Sequence, residues 1–343
     1  MSSNKVFFLG AGFSKAINPA YPLMGALSKQ TTDKLADKKD ILDRYYREDI
    51  AAHMKDNIED LLTYLSSDFP FKDDVQRVTN LALYQAIVQI LSDVFLELEK
   101  KRNEPKVIPN SSECSTALGK YIEKHKGKII DGKENIHFIT LNYDEIIEDA
   151  VQKAFRKDFG KYPPTLTDIY KYPMLSVGAR AGFNPLVDFP RILHPTVLKL
   201  HGSVNWYWHA ANPYSPIYCD SPDMNSPKDW KAGLIPYIVP PVLDKNAFYN
   251  HVALKVLWHE AHKLLKNADE IYIVGFSFPL TDLPVKFLFQ SALRDSKAKV
   301  YIINAAAETE LRKNYDIVFK GTMSGTVDYK FTGSTDALLN FLS

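Results

Sequence analysis

Apolar positions along this chain fall into two rhythms. The first is a set of short continuous runs, each ending on small or polar residues. Val6-Phe7-Phe8-Leu9 leads into Gly10-Ala11-Gly12-Phe13-Ser14, and Ile136–Leu141 leads into Asn142-Tyr143-Asp144. Val197-Leu198-Lys199-Leu200 leads into His201-Gly202-Ser203, and Ile271–Val274 into Gly275-Phe276-Ser277. A fifth run, Val300–Ile303, stops on Asn304. Such runs read as buried strands, and their polar ends as the rim where an open parallel sheet binds its ligand.

The second rhythm is helical. Ile58, Leu61, Leu62 and Leu65 share one face of a helix, and residues 75–100 hold no Gly or Pro, with Leu81, Leu83, Ile87, Ile90, Leu91 and Phe95 at helical period. Residues 28–125 are therefore expected as a helical insertion after the first strand–helix unit, broken by the polar segment Asn103–Ser112. Further helices are expected at 145–155, 248–267, 282–291, 309–315 and 335–342, with a short strand at 327–331. Residues 159–195 and 206–246, rich in Pro and aromatic side chains, read as irregular excursions. Strands alternating with helices predict an α/β fold: a Rossmann-like parallel sheet with helices on both faces and a helical insertion, one domain over 1–343.

Composition narrows the field. The 343 residues are 45% hydrophobic and 24% charged, with a formal net charge of +1. No global basic field is available to hold nucleic acid, so none is expected as a partner. The two cysteines, Cys114 and Cys219, lie far apart, which predicts neither a disulfide framework nor a cysteine-built zinc site, and no metal is expected. Met1–Lys5 enters a strand directly and no apolar stretch is expected to span a membrane, so the expectation is a cytoplasmic protein.

Each strand end has a structural reading beside a chemical one. Gly10-Ala11-Gly12-Phe13-Ser14 fits a phosphate-binding turn before a helix, or simply a tight turn. It does not complete the dehydrogenase pattern, since Lys15 follows and no acidic residue closes a next short strand. Asn142 with Glu145 fits a capping box and Asp144 an N-cap, while the same amide and carboxylate suit a ribosyl site. His201, followed by Gly202, is placed as a general base or as a core histidine. Gly275, Ser277 and Asp282 offer hydroxyl and backbone contacts to phosphate or ribose, or a helix cap, and Asn304 a ribose contact or a turn.

The ordered set resembles the Sir2 (sirtuin) superfamily, which binds NAD. Gly10–Ser14 is similar to its G-A-G-x-S, Thr140–Asp144 to its T-x-N-x-D, His201-Gly202 to its catalytic H-G, Gly275–Ser277 to its G-x-S, and Asn304 to its adenosine-ribose Asn. The chain departs from lysine-deacylating sirtuins in lacking two C-x-x-C pairs and in reading Ile17-Asn18-Pro19-Ala20-Tyr21-Pro22-Leu23 where those carry G-I-P-D-F-R. Tyr21-Pro22-Leu23, Asn57–Leu62 and Gly275-x-Ser277-x-Pro279-x-x-Asp282 resemble bacterial Sir2-like domains of antiphage defence.

That resemblance implies an NAD glycohydrolase that depletes NAD, with NAD as substrate and no metal. It implies Asn142 for water and ribose orientation, Asp144 on the nicotinamide side and His201 as base. Gly10, Ala11, Gly12, Phe13, Ser14, Thr140, Gly275, Ser277, Asp282 and Asn304 are then the cofactor-binding set. It also implies a homo-oligomer, and a partner such as a HerA-like ATPase as trigger. The rival expectations are a regulatory module that binds NAD or ADP-ribose without turnover, and a protein deacylase or ADP-ribosyltransferase.

Overall fold

The run Val6–Leu9 is buried almost completely, as a strand covered on both faces must be. In the computed structural model it forms the end of β1 (Ser3–Leu9), the centre of a six-stranded parallel sheet. The structure describes residues 2–38, 57–103, 113–155, 169–170, 174–176, 195–209, 214–220, 231, 233–243, 245–279 and 282–343. The other strands of this sheet are β2 (Glu134–Thr140), β4 (Thr196–Lys199), β8 (Glu270–Val274), β9 (Lys299–Asn304) and β10 (Val327–Thr332). A second, mostly antiparallel sheet holds β3 (Leu175–Ser176), β5 (Gly202–Trp208), β6 (Tyr218–Cys219) and β7 (Ile235–Ile238).

The parallel sheet runs β10-β9-β8-β1-β2-β4. The chain winds from β1 through β2 to β4, then returns to the other side of β1 and winds through β8 and β9 to β10. This is the doubly wound α/β architecture expected from the alternation of strands and helices, and it puts the topological switch point between β1 and β8. The registers level the strand ends: Leu9 pairs with Thr140 on one side and Val274 on the other, and Val274 with Ile303. The segments after β1, β2, β8 and β9 therefore leave the sheet at one height, along one edge.

Helices cover the sheet. They are α1 (Ala11–Ile17), α2 (Met24–Ala36), α3 (Ile58–Ser66), α4 (Asp74–Asn103), α5 (Glu113–Ile130), α6 (Ile146–Phe155), α7 (Asn246–Tyr249), α8 (Val252–Lys266), α9 (Leu283–Ala292), α10 (Glu308–Phe319) and α11 (Ala337–Leu342). Among the described residues of the expected insertion stand α2 to α5, with 39–56 and 104–112 outside the described residues. Asn57 caps α3, its Oδ1 accepting from the Glu59 amide at 3.0 Å, and α3 buries Ile58, Leu61, Leu62 and Leu65. The carboxylate of Glu99 ties the insertion to the loop after α1 and, through Arg102, to α6. It accepts from Tyr21 Oη at 2.5 Å and from the Arg102 guanidinium, which reaches on to Asp149 of α6 at 2.8 Å.

Three expectations need correction. The stretch 206–246 is not wholly irregular. It shares β5 with 202–208 and supplies β6 and β7, whose prolines and aromatic residues mask a strand rhythm: Trp206 is fully buried and Tyr237 nearly so. The helix expected over 248–267 is two helices, α7 and α8, parted at Asn250-His251, where the His251 ring caps α8 by accepting from the Ala253 amide at 3.2 Å. Finally, α4 is long and apolar enough, by length and composition, to cross a membrane. Here one face of it, Leu83, Ile87, Ile90, Leu91 and Val94, is buried in the core against its neighbours, whereas Val75, Val78 and Leu81 are exposed. The expected excursion 159–195 and the break before α5 lie largely outside the described residues.

The glycines at the switch point are required by backbone contact. Gly12 donates its amide to the Gly275 carbonyl at 2.9 Å, and Gly10 donates to Val274 at 2.9 Å. A Cβ on Gly10 would lie 2.6 Å from the Gly275 oxygen, and one on Gly275, whose φ is +62°, would lie 2.2 Å from the Phe13 nitrogen. Gly275→Ala combines left-handed strain with a backbone clash, and is expected to cost at least about 2 kcal/mol. A lowered urea midpoint measures it, and an unchanged midpoint would show that the two loops do not meet.

Candidate active site

A cavity of about 1040 Å³ opens along the carboxyl edge of the parallel sheet. Its centre is the switch point, walled by Gly10, Ala11 and Gly12 on one side and Gly275 and Phe276 on the other. At one flank stand Asn142, Asp144 and His201, and at the other Asn304, Ala305 and Ala306 with the segment leading into α11. The insertion lines the cavity through Leu27, Glu59 and Phe95, with Tyr21 ahead of it.

The first polar cluster joins β1 to β2. The Asn142 side-chain amide donates to the Gly10 carbonyl and to Ser14 Oγ, both at 2.8 Å. Ser14 Oγ in turn donates to Asp144 Oδ2 at 2.6 Å. Asp144 Oδ1 accepts from the Ile146 amide at 3.2 Å, so Asp144 caps α6 while Asn142 does not form a capping box with Glu145. Burial pushes the Asp144 carboxyl up, a shift opposed by the positive charge of Lys199 and the Ser14 hydrogen bond. Lys199 comes from β4 beneath the site. Its ammonium is fully buried, pairs with Glu148 at 2.9 Å and donates to the Asp144 carbonyl oxygen. Tyr170 completes this layer by donating to Glu148 at 3.1 Å. The Asp144 carboxylate is thus held by the Ser14 hydroxyl, and its backbone carbonyl by the buried Lys199 ammonium.

The second cluster surrounds His201. This residue follows β4 by two positions and sits in the turn into β5. Gly202 is needed there because its φ is +75° and a Cβ would fall 2.0 Å from the Tyr237 oxygen. The His201 carbonyl accepts from Val239 at 2.8 Å, and its Nε2 lies 3.3 Å from Tyr249 Oη. The imidazole is 6% exposed. Burial, with a smaller contribution from the nearby Lys245 ammonium, lowers its pKa from the usual 6.5 to about 3, against the opposing charge of Asp282. His201 is accordingly a neutral imidazole at physiological pH. Ser203 belongs to the framework, its hydroxyl donating to the Tyr143 carbonyl at 3.1 Å.

The third group shapes the β8 loop. Asn304 Nδ2 donates to the Phe276 carbonyl at 3.1 Å and its Oδ1 accepts from Ala306 at 3.0 Å, so Asn304 braces this loop while it lines the cavity. Ser277 is exposed and also lines the cavity. Asp282 stands at the N-cap of α9 without capping it through its side chain. It is drawn instead to Lys245, at 2.5 Å.

Eleven of the residues expected at the site therefore line one cavity: Gly10, Ala11, Gly12, Ser14, Asn142, Asp144, His201, Gly275, Ser277, Asp282 and Asn304. Phe13 and Thr140 do not. The Phe13 ring is buried in the core, and the Thr140 hydroxyl spans Leu9 and Asn142 behind the wall. Sequence reasoning missed Lys245 and Tyr249, which sit in the stretch around α7 with no motif to mark them, and Lys199, which reads as one residue of an apolar run. Among the described residues no group of three or more His, Cys, Asp or Glu is placed to hold a metal ion.

No family model and no curated protein matches the chain. Solved structures of Sir2 proteins do. One, on the mechanism and regulation of Sir2 enzymes, is 14% identical and matches over 99% of this chain and 91% of its own, with a TM-score of 0.41. A Sir2 bound to a propionylated peptide is 16% identical over 99% and 92%, with a TM-score of 0.38. A Sir2 in complex with an inhibitor, 2'-O-acetyl-ADP-ribose and a deacetylated peptide is 15% identical over 99% and 90%, with a TM-score of 0.36. At these scores the site rests on its own geometry.

The low proton affinity of His201 has a thermodynamic consequence. The unfolded chain binds a proton at this histidine near pH 6.5 and the folded chain only near 3, so stability is full above 6.5 and falls as pH drops toward 3. His201→Gln is expected to flatten the fall in urea midpoint between pH 7 and pH 4. An equal slope in parent and variant would mean that the imidazole is not buried as described.

Proposed function

We propose that this chain is a Sir2-like NAD glycohydrolase, releasing nicotinamide and ADP-ribose. The observation that carries this reading is the reach of the cavity. Asn304, at the end of β9, and His201, beyond the end of β4, line it together, although their strands lie four steps apart in the sheet. Four strand spacings are about 19 Å. A trough of that length suits an extended dinucleotide and is too long for one nucleotide. At its midpoint, where a pyrophosphate would lie, the wall is side-chain-free backbone of Gly10, Gly12 and Gly275. The order of the motifs along the chain, which resembles the Sir2 superfamily, supports the same ligand.

The chemistry follows from the His201 flank. The bond between nicotinamide N1 and ribose C1' breaks, the electron pair leaves with nicotinamide, and positive charge develops on the ribose. A water oxygen then bonds to C1' and its proton passes to His201. Asn142 has both amide protons committed to Gly10 and Ser14, so its Oδ1 is the atom left to orient that water or a ribose hydroxyl. We assign Asp144, the carboxylate at that flank, to the nicotinamide amide or the developing charge. The reading extends to depletion of the cytoplasmic NAD pool in antiphage defence, triggered by a partner protein such as a HerA-like ATPase; it rests there on the resemblance of Tyr21–Leu23, Asn57–Leu62 and the Gly275–Asp282 loop.

A second reading, a module that binds NAD or ADP-ribose without turnover, draws on one observation. With a pKa near 3, His201 is a weak base. Product analysis separates the two. The chain, assayed alone and with the protein encoded beside it, is expected to release nicotinamide and free ADP-ribose. His201→Ala should lower kcat by about 10²–10⁴-fold while NAD affinity stays within a few-fold. Tight NAD binding without nicotinamide release would establish the binding module. O-acyl-ADP-ribose from an acylated peptide, or ADP-ribosylated protein, would replace hydrolysis with deacylation or transfer.

A further inference from the structure

One ion pair in the cavity wall has no part in the scheme above. Lys245 and Asp282 lie 2.5 Å apart with side chains 5% and 16% exposed, and both line the cavity. Lys245 immediately precedes α7 and Asp282 immediately precedes α9, so the pair joins the segment after β7 of the second sheet to the segment after β8 of the parallel sheet. A buried ion pair of this kind is costly to desolvate and is better explained by what it positions than by the stability it adds.

What it positions is visible in the segment it holds. Among the described residues, the stretch from Val239 to Tyr249 is attached at Val239, Leu243 and Lys245. Val239 is bonded to the His201 carbonyl at 2.8 Å and to the Tyr143 hydroxyl at 2.5 Å. Leu243 donates to the Thr63 hydroxyl of α3 at 3.0 Å. Lys245 is the third point, and its carbonyl accepts from the Phe248 and Tyr249 amides at 3.1 and 3.2 Å, starting the single turn that carries Tyr249. Tyr249 Oη then meets His201 Nε2 at 3.3 Å, and Tyr249 packs edge-on against Trp258, whose indole donates to the Leu200 carbonyl. We infer that Lys245 is a positioning residue for His201: clamped to Asp282, it fixes α7 so that the Tyr249 hydroxyl holds the imidazole in place at the cavity wall. This rests on the reading of His201 as the proton acceptor.

The electrostatics agree with the geometry. The charged groups that face the imidazole are Lys245, ahead of α7, and Asp282, ahead of α9; Tyr249 of α7 and Trp258 of α8 are its neutral neighbours. Burial and the Asp282 charge hold Tyr249 protonated, so its hydroxyl remains able to donate as well as accept. Of the two charges, the lysine acts more strongly on His201 than the aspartate. Loss of the ammonium therefore raises the proton affinity of the imidazole as it frees α7.

The experiment follows the His201 ring resonances of the full chain between pH 4 and pH 8, assigned with His201→Gln, in parent, Lys245→Met and Lys245→Arg. The parent ring is expected not to titrate above pH 4. In Lys245→Met the midpoint should move up by at least one pH unit and into the observed window, and in Lys245→Arg it should stay with the parent. In NAD cleavage Lys245→Met should lose at least tenfold in kcat with KM within threefold, and Lys245→Arg should recover most of it. A Lys245→Met ring that still does not titrate, or an unchanged kcat, overturns the inference. If Lys245→Met fails to fold, the double variant Lys245→Met/Asp282→Asn replaces it with the same expected direction, because it leaves no unpaired charge. A parent that releases no nicotinamide would sink the hydrolase reading alone, since the ring titration needs no substrate and still reads the coupling of Lys245 to His201.

Discussion

The close approach of two loops at the switch point sets the rest of this structure. Where β1 and β8 run side by side, the chain leaves both through glycines that touch backbone to backbone, Gly10 and Gly12 against Gly275. No side chain fits between them, so the crevice that every doubly wound sheet has at this position is floored by peptide groups. The loop after β8 is then fixed from its far side by Asn304, Tyr315 and Asn314, which donate to the carbonyls of Phe276 and Ser277. The loop after β1 is fixed by Asn142, which donates to the carbonyl of Gly10. The polar residues at the strand ends are committed to each other before any ligand arrives.

This commitment explains why those ends looked ambiguous as sequence. A turn residue and a cavity-lining residue are here the same residue used twice. Asp144 caps α6 with one oxygen and takes the Ser14 hydroxyl with the other. Asn304 braces a loop and lines the cavity. Gly202 permits a left-handed turn against Tyr237 and so aims His201. The structural explanation and the chemical one do not compete at these positions, because preorganisation of a site is built from such framework bonds.

The central sheet was legible because the ends of β1, β4 and β8 are buried and read as short apolar runs, whereas the edge strand β10 is partly exposed. The helical insertion was legible from its period. The second sheet was not: β5 packs fully buried aromatic and polar residues together, and β7 carries Pro236, so neither alternation nor an apolar run marks them. Of the site, the residues that end strands were found, since the fold brings strand ends together whatever lies between them. Lys245 and Tyr249 were missed because their contribution arises only when the loop after β7 folds back over β4, a contact that no local spacing encodes. Phe13 and Thr140 were over-read for the converse reason: they belong to motifs that reach the cavity, but their own side chains face the core and the wall.

The account turns on a single trough that serves both ends of a dinucleotide. Calorimetric titration of the chain with ADP-ribose, AMP and ribose 5-phosphate tests it without any turnover. One continuous site predicts that ADP-ribose binds at least about a hundredfold more tightly than either fragment, a difference of roughly 2.7 kcal/mol. Equal affinity of AMP and ADP-ribose would mean that the flank formed by Asn142, Asp144 and His201 is not part of the same binding site, and would contradict it.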